Sequence, residues 1–416
     1  SLADAVGSKG ITGNAATDAL IVVSGEAGPI TGNISLAGNQ ILLGGGSTLQ
    51  VLGNVTNEMA TFTPTAFDAA ASRPTITHDG TLGSAVLSAT GVDHVKLVGL
   101  DITIANQSLM GLQQYRGIRL VDSSHDIVRD VAVSGGDMAF LLDAVDAAVD
   151  DILLEDISVT GSSFGVGAFS SSTDRVSNVT VNRGTFTSLT RAVGSAFAFN
   201  VNASGAQTVD ALTLNDIVVT DTDWGGAFQK VNGLIIDGWT GTGHDTGSSG
   251  SVGLAVSNGT ALTLRDFSLS GYRAGVQILN NGTGNSIDGG TIADVGTTSA
   301  LSVTGLIAHN SDITIENVSI SGVGSVADTT DVGLHISGPA TVRITNVSID
   351  GRNGGGDLVT DRAVFLSGSV AADDITILAG STGNSAVNVT QLCLQVMGAA
   401  SVTGAIVFTV PAASCP

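Results

Sequence analysis

GVGAFSSSTDRVSNVTV, residues 165–181, holds two short runs of alternating apolar and polar residues, GVGAFS and VSNVTV, joined by a polar turn. An asparagine, Asn178, sits inside the second run where a strand would bend. The same phrase returns along the chain as VGLDITI (98–104), VRDVAV (128–133), LEDISV (154–159), LNDIVV (214–219), IIDGWT (235–240), LRDFSL (264–269), IENVSI (315–320) and ITNVSI (344–349). Each copy is too short to bury its apolar face alone, so the repeat reads as a coil whose turns stack to share one core.

A second family of strands lies between these copies: GIRLVD (117–122), AFLLDA (139–144), AFAFNV (196–201), GLAVSN (253–258), GVQILN (275–280), GLIAHN (305–310), GLHISG (333–338) and AVFLSG (363–368). The fold expected is therefore all-β, a single-stranded parallel β-helix with about three short strands per turn. The key polar residues are Asp101, Asp130, Asp156, Asn178, Asp216, Asp237, Asp266, Asn317 and Asn346, spaced 21 to 38 residues apart with one gap of 51. Asp and Asn tolerate left-handed backbone angles and satisfy turn amides, so these nine positions are expected to form a structural turn ladder. At roughly 25 residues and about 4.8 Å per turn, some 16 turns make a rod on the order of 75 Å long.

Composition agrees. The 416 residues include 56 Gly and 6 Pro, with 43% hydrophobic and 4% aromatic residues, which does not favour helices. Apolar runs break within about eight residues, well short of the roughly 20 that a membrane span needs, so no membrane insertion by this chain is expected. A formal charge of −22, from 15 Lys+Arg against 37 Asp+Glu, repels phosphate backbones and excludes nucleic acid as a partner. The same field disfavours an anionic glycan unless a divalent cation such as calcium bridges it; no other cofactor is implied.

One domain spans 1–416: a cap and first strands over 1–29, helical rungs over 30–390, and a C-terminal cap over 391–416. Cys393 and Cys415 both fall in that last segment, where a disulfide closing the loop would stabilise by about 3 kcal/mol. Two free thiols are the alternative.

ITGNISLAGNQILLGGGSTLQVLG (30–53), RPTIT (73–77) and VLSATGVDHVKLVGLDIT (86–103) resemble the opening of right-handed β-helix domains in large bacterial cell-surface proteins, autotransporter passengers and adhesins among them. Beyond residue 104 the likeness is to the rung grammar of the wider pectate-lyase-like superfold. The resemblance implies a right-handed coil, export, an extracellular or cell-surface location, and partners that are other copies of the chain or surface components. The superfold hosts lyases, hydrolases, epimerases and tailspikes as well, so it leaves function open.

A lyase on this fold combines acidic calcium ligands with an Arg or Lys base, and no such cluster is visible with Lys only at Lys9, Lys96 and Lys230. A hydrolase needs two carboxylates on one face. The best candidates are Asp122 and Asp143, which end matched runs; their alternative role is as solvated turn residues. Gly243–His244–Asp245 resembles the glycine-histidine signature of polygalacturonases but lacks its companion motifs. Trp224, Trp239 and His244 flank a loop-rich stretch where a shallow glycan or partner site would fit, unless the rings pack inward. The remaining histidines show no metal-ligand spacing, and the metal question stays open. The reading that results is a non-catalytic surface or adhesive module, open to self-assembly by contact between copies, with a polysaccharide-active enzyme or a tailspike-like glycan binder as alternatives.

Overall fold

The computed structural model describes residues 19–23, 29–44, 49–52, 59–62, 73–105, 107, 114–191, 194–244, 250–296, 303–324, 331–338, 341–351, 362–367, 371–372, 375–378, 394–397, 401–402 and 406–408. Among them there is no helix, and the chain is a right-handed parallel β-helix. By its internal contacts it divides into two compact units, Ser1–Ala196 with Ala203–Val209, and Phe197–Asn202 with Asp210–Pro416.

Each unit repeats one long, bent strand and one short strand per turn. In the first unit the bent strands are Lys96–Ile104, Ile127–Gly135 and Val149–Thr160, and the short ones are Ala85–Thr90, Arg116–Val121, Met138–Ala144 and Phe164–Ser170. In the second, Ile235–Gly243, Thr263–Ser270, Asn285–Val295 and Ile313–Val323 alternate with Val252–Ser257, Ala274–Leu279, Thr304–His309 and Val332–Ser337. A bend splits each long strand into two legs, so a turn presents three walls. Each strand pairs in parallel with its equivalents one turn away, which puts like residues in columns: Val131 on Ile157, Val133 on Val159, Phe140 on Val166, Leu142 on Ala168. These side chains are at most 2% exposed. Burying each contributes about 1.5–3 kcal/mol for the larger ones, which is why alternation is kept strictly on the inward face.

The bend is a residue in the left-handed region. In the second unit Asp216, Gly238, Asp266, Gly289, Asn317 and Asn346 all have φ between 48° and 73° and stack through the register of their neighbours. Asp, Asn and Gly are there because other residues lose roughly 1–2 kcal/mol in that conformation. The amide of Asn346 donates to Asn317 Oδ1, and that of Asn317 to Asp288 Oδ1, both at 2.7 Å. In the first unit the matching column is Gly99, Asp130, Asp156 and Arg183.

The details differ from the sequence reading in three places. The bend near Asp237 is made by Gly238, and the one near Asp101 by Gly99. Asp101 instead points outward to the Arg73 guanidinium at 3.1 Å. Asn178 is left-handed, with φ 50°, but stacks on Asp151 at a different corner, which also holds Asn39, His94 and His125. A turn contains several left-handed corners, and the strand phrase alone does not say which of them an Asp or Asn serves.

The glycine that opens the short strands has another cause. A β-carbon on Gly225, Gly253, Gly275 or Gly305 would lie 2.3, 2.7, 2.4 and 2.7 Å from the carbonyl oxygen of Gly253, Gly275, Gly305 and Gly333 respectively. Successive turns approach too closely there for any side chain.

Parallel pairing continues through Leu394–Met397, which pairs with Arg362–Ser367, and Ile406–Phe408, which pairs with Ile375–Leu378. Residues 1–18 of the expected N-terminal cap segment and the cysteines Cys393 and Cys415 lie outside the described residues.

Two substitutions test this account by urea denaturation. Gly275→Ala drives a β-carbon into backbone and is expected to destabilise by about 2–4 kcal/mol. Asn317→Ala keeps space but loses the left-handed preference and both amide bonds, and is expected to cost about 1–3 kcal/mol.

Candidate functional site

Asp122 and Asp143 belong to adjacent turns of the short-strand wall in the first unit. Asp122 closes the Arg116–Val121 strand in the left-handed region, with φ 51°. Its Oδ1 accepts the backbone N–H groups of Val145, Asp146 and Ala147 at 2.7, 3.0 and 3.0 Å. That carboxylate is committed to holding the next turn. Asp143 stands in register with Val121 and Phe169 on the outward face of the wall. Burial pushes its carboxyl above the usual range, against the pull of Arg119 and Arg116, while Asp122 pushes it further up. The two carboxylates thus interact, but only Asp143 is available for chemistry.

The surroundings of Asp143 are unlike a solvated sheet face. Strand alternation sends Ile118, Leu120, Phe140 and Leu142 inward, so Arg119 and Leu141 face outward in register with Ser88 and Gly167. Outward-facing Val121 and Leu141 are nevertheless only 2% and 3% exposed, and Met138 and Phe164 beside them are buried too. A β-carbon at Gly167 would lie 2.7 Å from the Met138 sulfur and 2.8 Å from the Phe169 ring. Part of the cover is visible: the Gln107 amide donates to Ser163 Oγ at 2.8 Å and to the Thr190 carbonyl at 2.7 Å, and the Arg191 guanidinium lies 5.0 Å from the Phe164 ring centre. Buried Asp137 fixes the lead into the Arg116 strand by accepting the N–H groups of Gln114 and Tyr115.

Two cations lie on this apolar floor. Arg116 donates to the Gly83 carbonyl at 2.8 Å, and burial and the neighbouring Arg119 lower its pKa. Its Nε is buried without a hydrogen-bond partner, as is that of Arg119. Among the described residues nothing accepts a hydrogen bond from Arg119; its charge is felt by Asp143 and Arg116 across longer distances. The sequence reading missed this pair. The signal was the outward parity of Arg119 in RGIRLV, two turn positions from Asp143.

A second cluster occupies one corner of the same unit. The rings of His94 and His125 stack with centroids 4.8 Å apart, and His125 Nδ1 lies 2.8 Å from Asp151 Oδ2. That hydrogen bond raises the His125 pKa, with Asp93 and Asp150 adding to it. Just inside, Asp126 is 1% exposed and accepts the Val95 N–H at 2.8 Å and the Ser123 hydroxyl at 2.5 Å. Burial lifts its carboxyl to about 6. Among the described residues no three His, Cys, Asp or Glu side chains converge as metal ligands.

In the second unit Trp239 is fully buried in the core, its ring 5.5 Å from that of Phe199. It therefore offers no platform to a glycan. Trp224 is half-buried against Phe197 at 5.2 Å, and exposed His244 lies 3.4 Å from Asp221. The three residues singled out in the sequence do not form one surface. Trp239 follows the bend at Gly238 and so alternates inward, a parity that depends on the bend being at 238 and not at 237. Asp245 lies outside the described residues.

No protein-family model matches the chain, and no curated protein matches it. Among solved structures it is similar to the A-module of mannuronan C-5 epimerase AlgE6 from Azotobacter vinelandii, at 12% identity and a TM-score of 0.43 over 96% of this chain and 93% of that one. It is also similar to tailspike protein 3 of bacteriophage CBA120, at 11% identity and a TM-score of 0.40 over 94% of this chain and 57% of that one. A third is tailspike gp49 of the Acinetobacter baumannii bacteriophage Fri1, a capsular polysaccharide depolymerase, at 13% identity and a TM-score of 0.34 over 96% and 59% of the two chains. The likeness is one of coil architecture.

The raised Asp126 carboxyl makes a signed prediction. Below about pH 4 both folded and unfolded forms hold its proton; between about 4 and 6 the unfolded chain releases it while the folded chain keeps it. The group therefore subtracts up to about 3 kcal/mol of stability as pH rises through that window. Asp126→Asn keeps an acceptor for Val95 and removes the charge. Thermal melts are expected to show the variant gaining on the wild type from pH 4 to 6.5, with a constant difference above.

Proposed function

We propose that the protein is an extracellular polysaccharide-binding β-helix whose glycan groove is the outward face of the short-strand wall around Arg119 and Asp143. One observation carries this reading: two arginines whose Nε atoms are buried without a hydrogen-bond partner share an apolar floor with a half-buried aspartate on the outward face of the short-strand wall. The matching outward positions in the second unit run from Asn200 and Ala227 through Ala255, Gln277 and Ile307 to His335 and Phe365; they are partly buried, as Arg119 is, and none is an arginine. A guanidinium Nε buried without a hydrogen-bond partner adds nothing to a purely structural module. Such polar groups converging on an apolar surface are what ligand sites are made of. A wall of parallel strands also repeats along its axis, which suits a linear polymer.

Any reaction here would draw on Asp143, whose carboxyl burial pushes above the usual range, the direction a general acid needs. Asp122 cannot supply the second carboxylate of a glycosidase while it caps the next turn. Binding is therefore the primary proposal, in preference to an adhesive rod, and an extracellular location follows from the ligand class.

Affinity electrophoresis through gels cast with neutral and acidic polysaccharides is expected to retard the protein with at least one of them. Ser88→Trp, which places a bulky ring beside Arg119, should abolish retardation at unchanged melting temperature. Wild-type protein that migrates freely in every gel, or a Ser88→Trp variant retarded as before, defeats the proposal. Should the same polysaccharides yield reducing ends or unsaturated products, Asp143→Asn is expected to lower that turnover at least about a hundredfold.

A further inference from the structure

We infer, resting on the polysaccharide reading, that the glycan is acidic and that Arg119 binds a sugar carboxylate. The chain carries a formal charge of −22, so a local excess of cations is not a by-product of composition. Elsewhere in the first unit arginines are paired: Arg73 with Asp101 and Asp130, Arg129 with Glu155, Arg183 with Glu155 and Asp156. Arg119 differs from these, with no ion pair and no hydrogen bond among the described residues. Arg116, next to it, has one neutral carbonyl as its partner.

Among the described residues no carboxylate nearby makes an ion pair or hydrogen bond with Arg119. Asp137 accepts two backbone N–H groups and Asp122 three. Asp143 feels both arginines at longer range, and burial raises its pKa in spite of them. A planar anion set against Arg119 would accept the fork of guanidinium donors and relieve the repulsion between the two arginines. A neutral sugar hydroxyl would satisfy donors without offsetting charge. Arginine suits this role better than lysine because a carboxylate takes two parallel hydrogen bonds from it.

The site's electrostatics have a recognisable salt dependence. The net negative field acts at long range and is screened beyond about 8 Å at physiological ionic strength, whereas a half-buried contact pair is screened much less. Salt is therefore expected to leave affinity nearly unchanged between 0.05 and 0.5 M, on the order of twofold or less, in contrast to the steep loss shown by a polybasic surface.

The experiment is calorimetric titration of the full chain with polygalacturonate hexamer, its fully methyl-esterified form and a neutral glucan hexamer. The ester has the shape of the acid without its charge. The free acid is expected to bind at least about tenfold tighter than the ester, a difference that Arg119→Gln removes and Arg119→Lys restores in part. Because Arg119 has no hydrogen bond or ion pair among the described residues, Arg119→Gln is expected to melt close to the wild-type temperature, which separates loss of binding from loss of fold. Equal binding of acid and ester, unaffected by Arg119→Gln, overturns the acidic ligand and leaves the polysaccharide proposal standing. Neutral-only binding does the same. Silence toward all three, together with free migration through every polysaccharide gel, overturns both.

Discussion

Parallel stacking in register imposes one demand that the rest of the structure obeys: wherever one turn bends, the turn above and the turn below must bend at the same place. A bend that needs φ near +50° must then be supplied by a suitable residue in every turn, and the columns Gly99–Asp130–Asp156 and Asp216–Gly238–Asp266–Gly289–Asn317–Asn346 are that supply. Side chains in such a column lie about 4.8 Å apart, close enough for asparagine amides to hydrogen-bond along it. Asn346 and Asn317 do so, and Asn317 donates on to Asp288, the residue before Gly289. The same closeness forbids any side chain at Gly253, Gly275 and Gly305, where carbonyl oxygens of the next turn occupy the space.

Stacked aspartates repel one another, and the column chemistry has to answer that. Arg73 bridges Asp101 and Asp130, and Arg183 bridges Asp156 and Glu155. These pairs are half-exposed, so each adds little stability alone. Their effect is to keep like charges from accumulating along the axis. Arg73, Arg129 and Arg183 are used in this way, whereas the two arginines on the short-strand wall form no such ion pair among the described residues.

Much of this was legible from the chain. Alternation in VRDVAV and LEDISV gives strands with one buried face, and the apolar residues of both are buried as that pattern requires. The Asp and Asn residues mark bends because few other residues tolerate them. What was not legible is which corner a given residue serves, since Asn178 and Asp156 sit in similar phrases but stack in different columns. Glycine competes silently for the same positions, as Gly99 and Gly238 do, so a rule that looks for acids is displaced by one or two residues. That displacement decides Trp239: counted from Asp237 it has no fixed side, and counted from Gly238 it faces the core. The pairing of Arg119 with Asp143 was hidden for a different reason. It joins residues 24 positions apart through a register that depends on the length of the intervening corner loop.

Inward positions and corners are so constrained that function has to be written elsewhere. The outward positions of the short-strand wall escape the demand of the corners, since Ser88, Arg119 and Leu141 need no left-handed backbone, although Met138 and Phe169 leave no room for a side chain at Gly167. In the second unit Ala255 and Gln277, both partly buried, hold such positions. In the first unit they hold a buried leucine and a partly buried arginine whose Nε has no hydrogen-bond partner, a combination that neither the corners nor the inward core calls for. What the fold does not call for is where a ligand can be accommodated, and guanidinium donors over an apolar floor beside one half-buried carboxyl are the groups on which the proposed anion site rests.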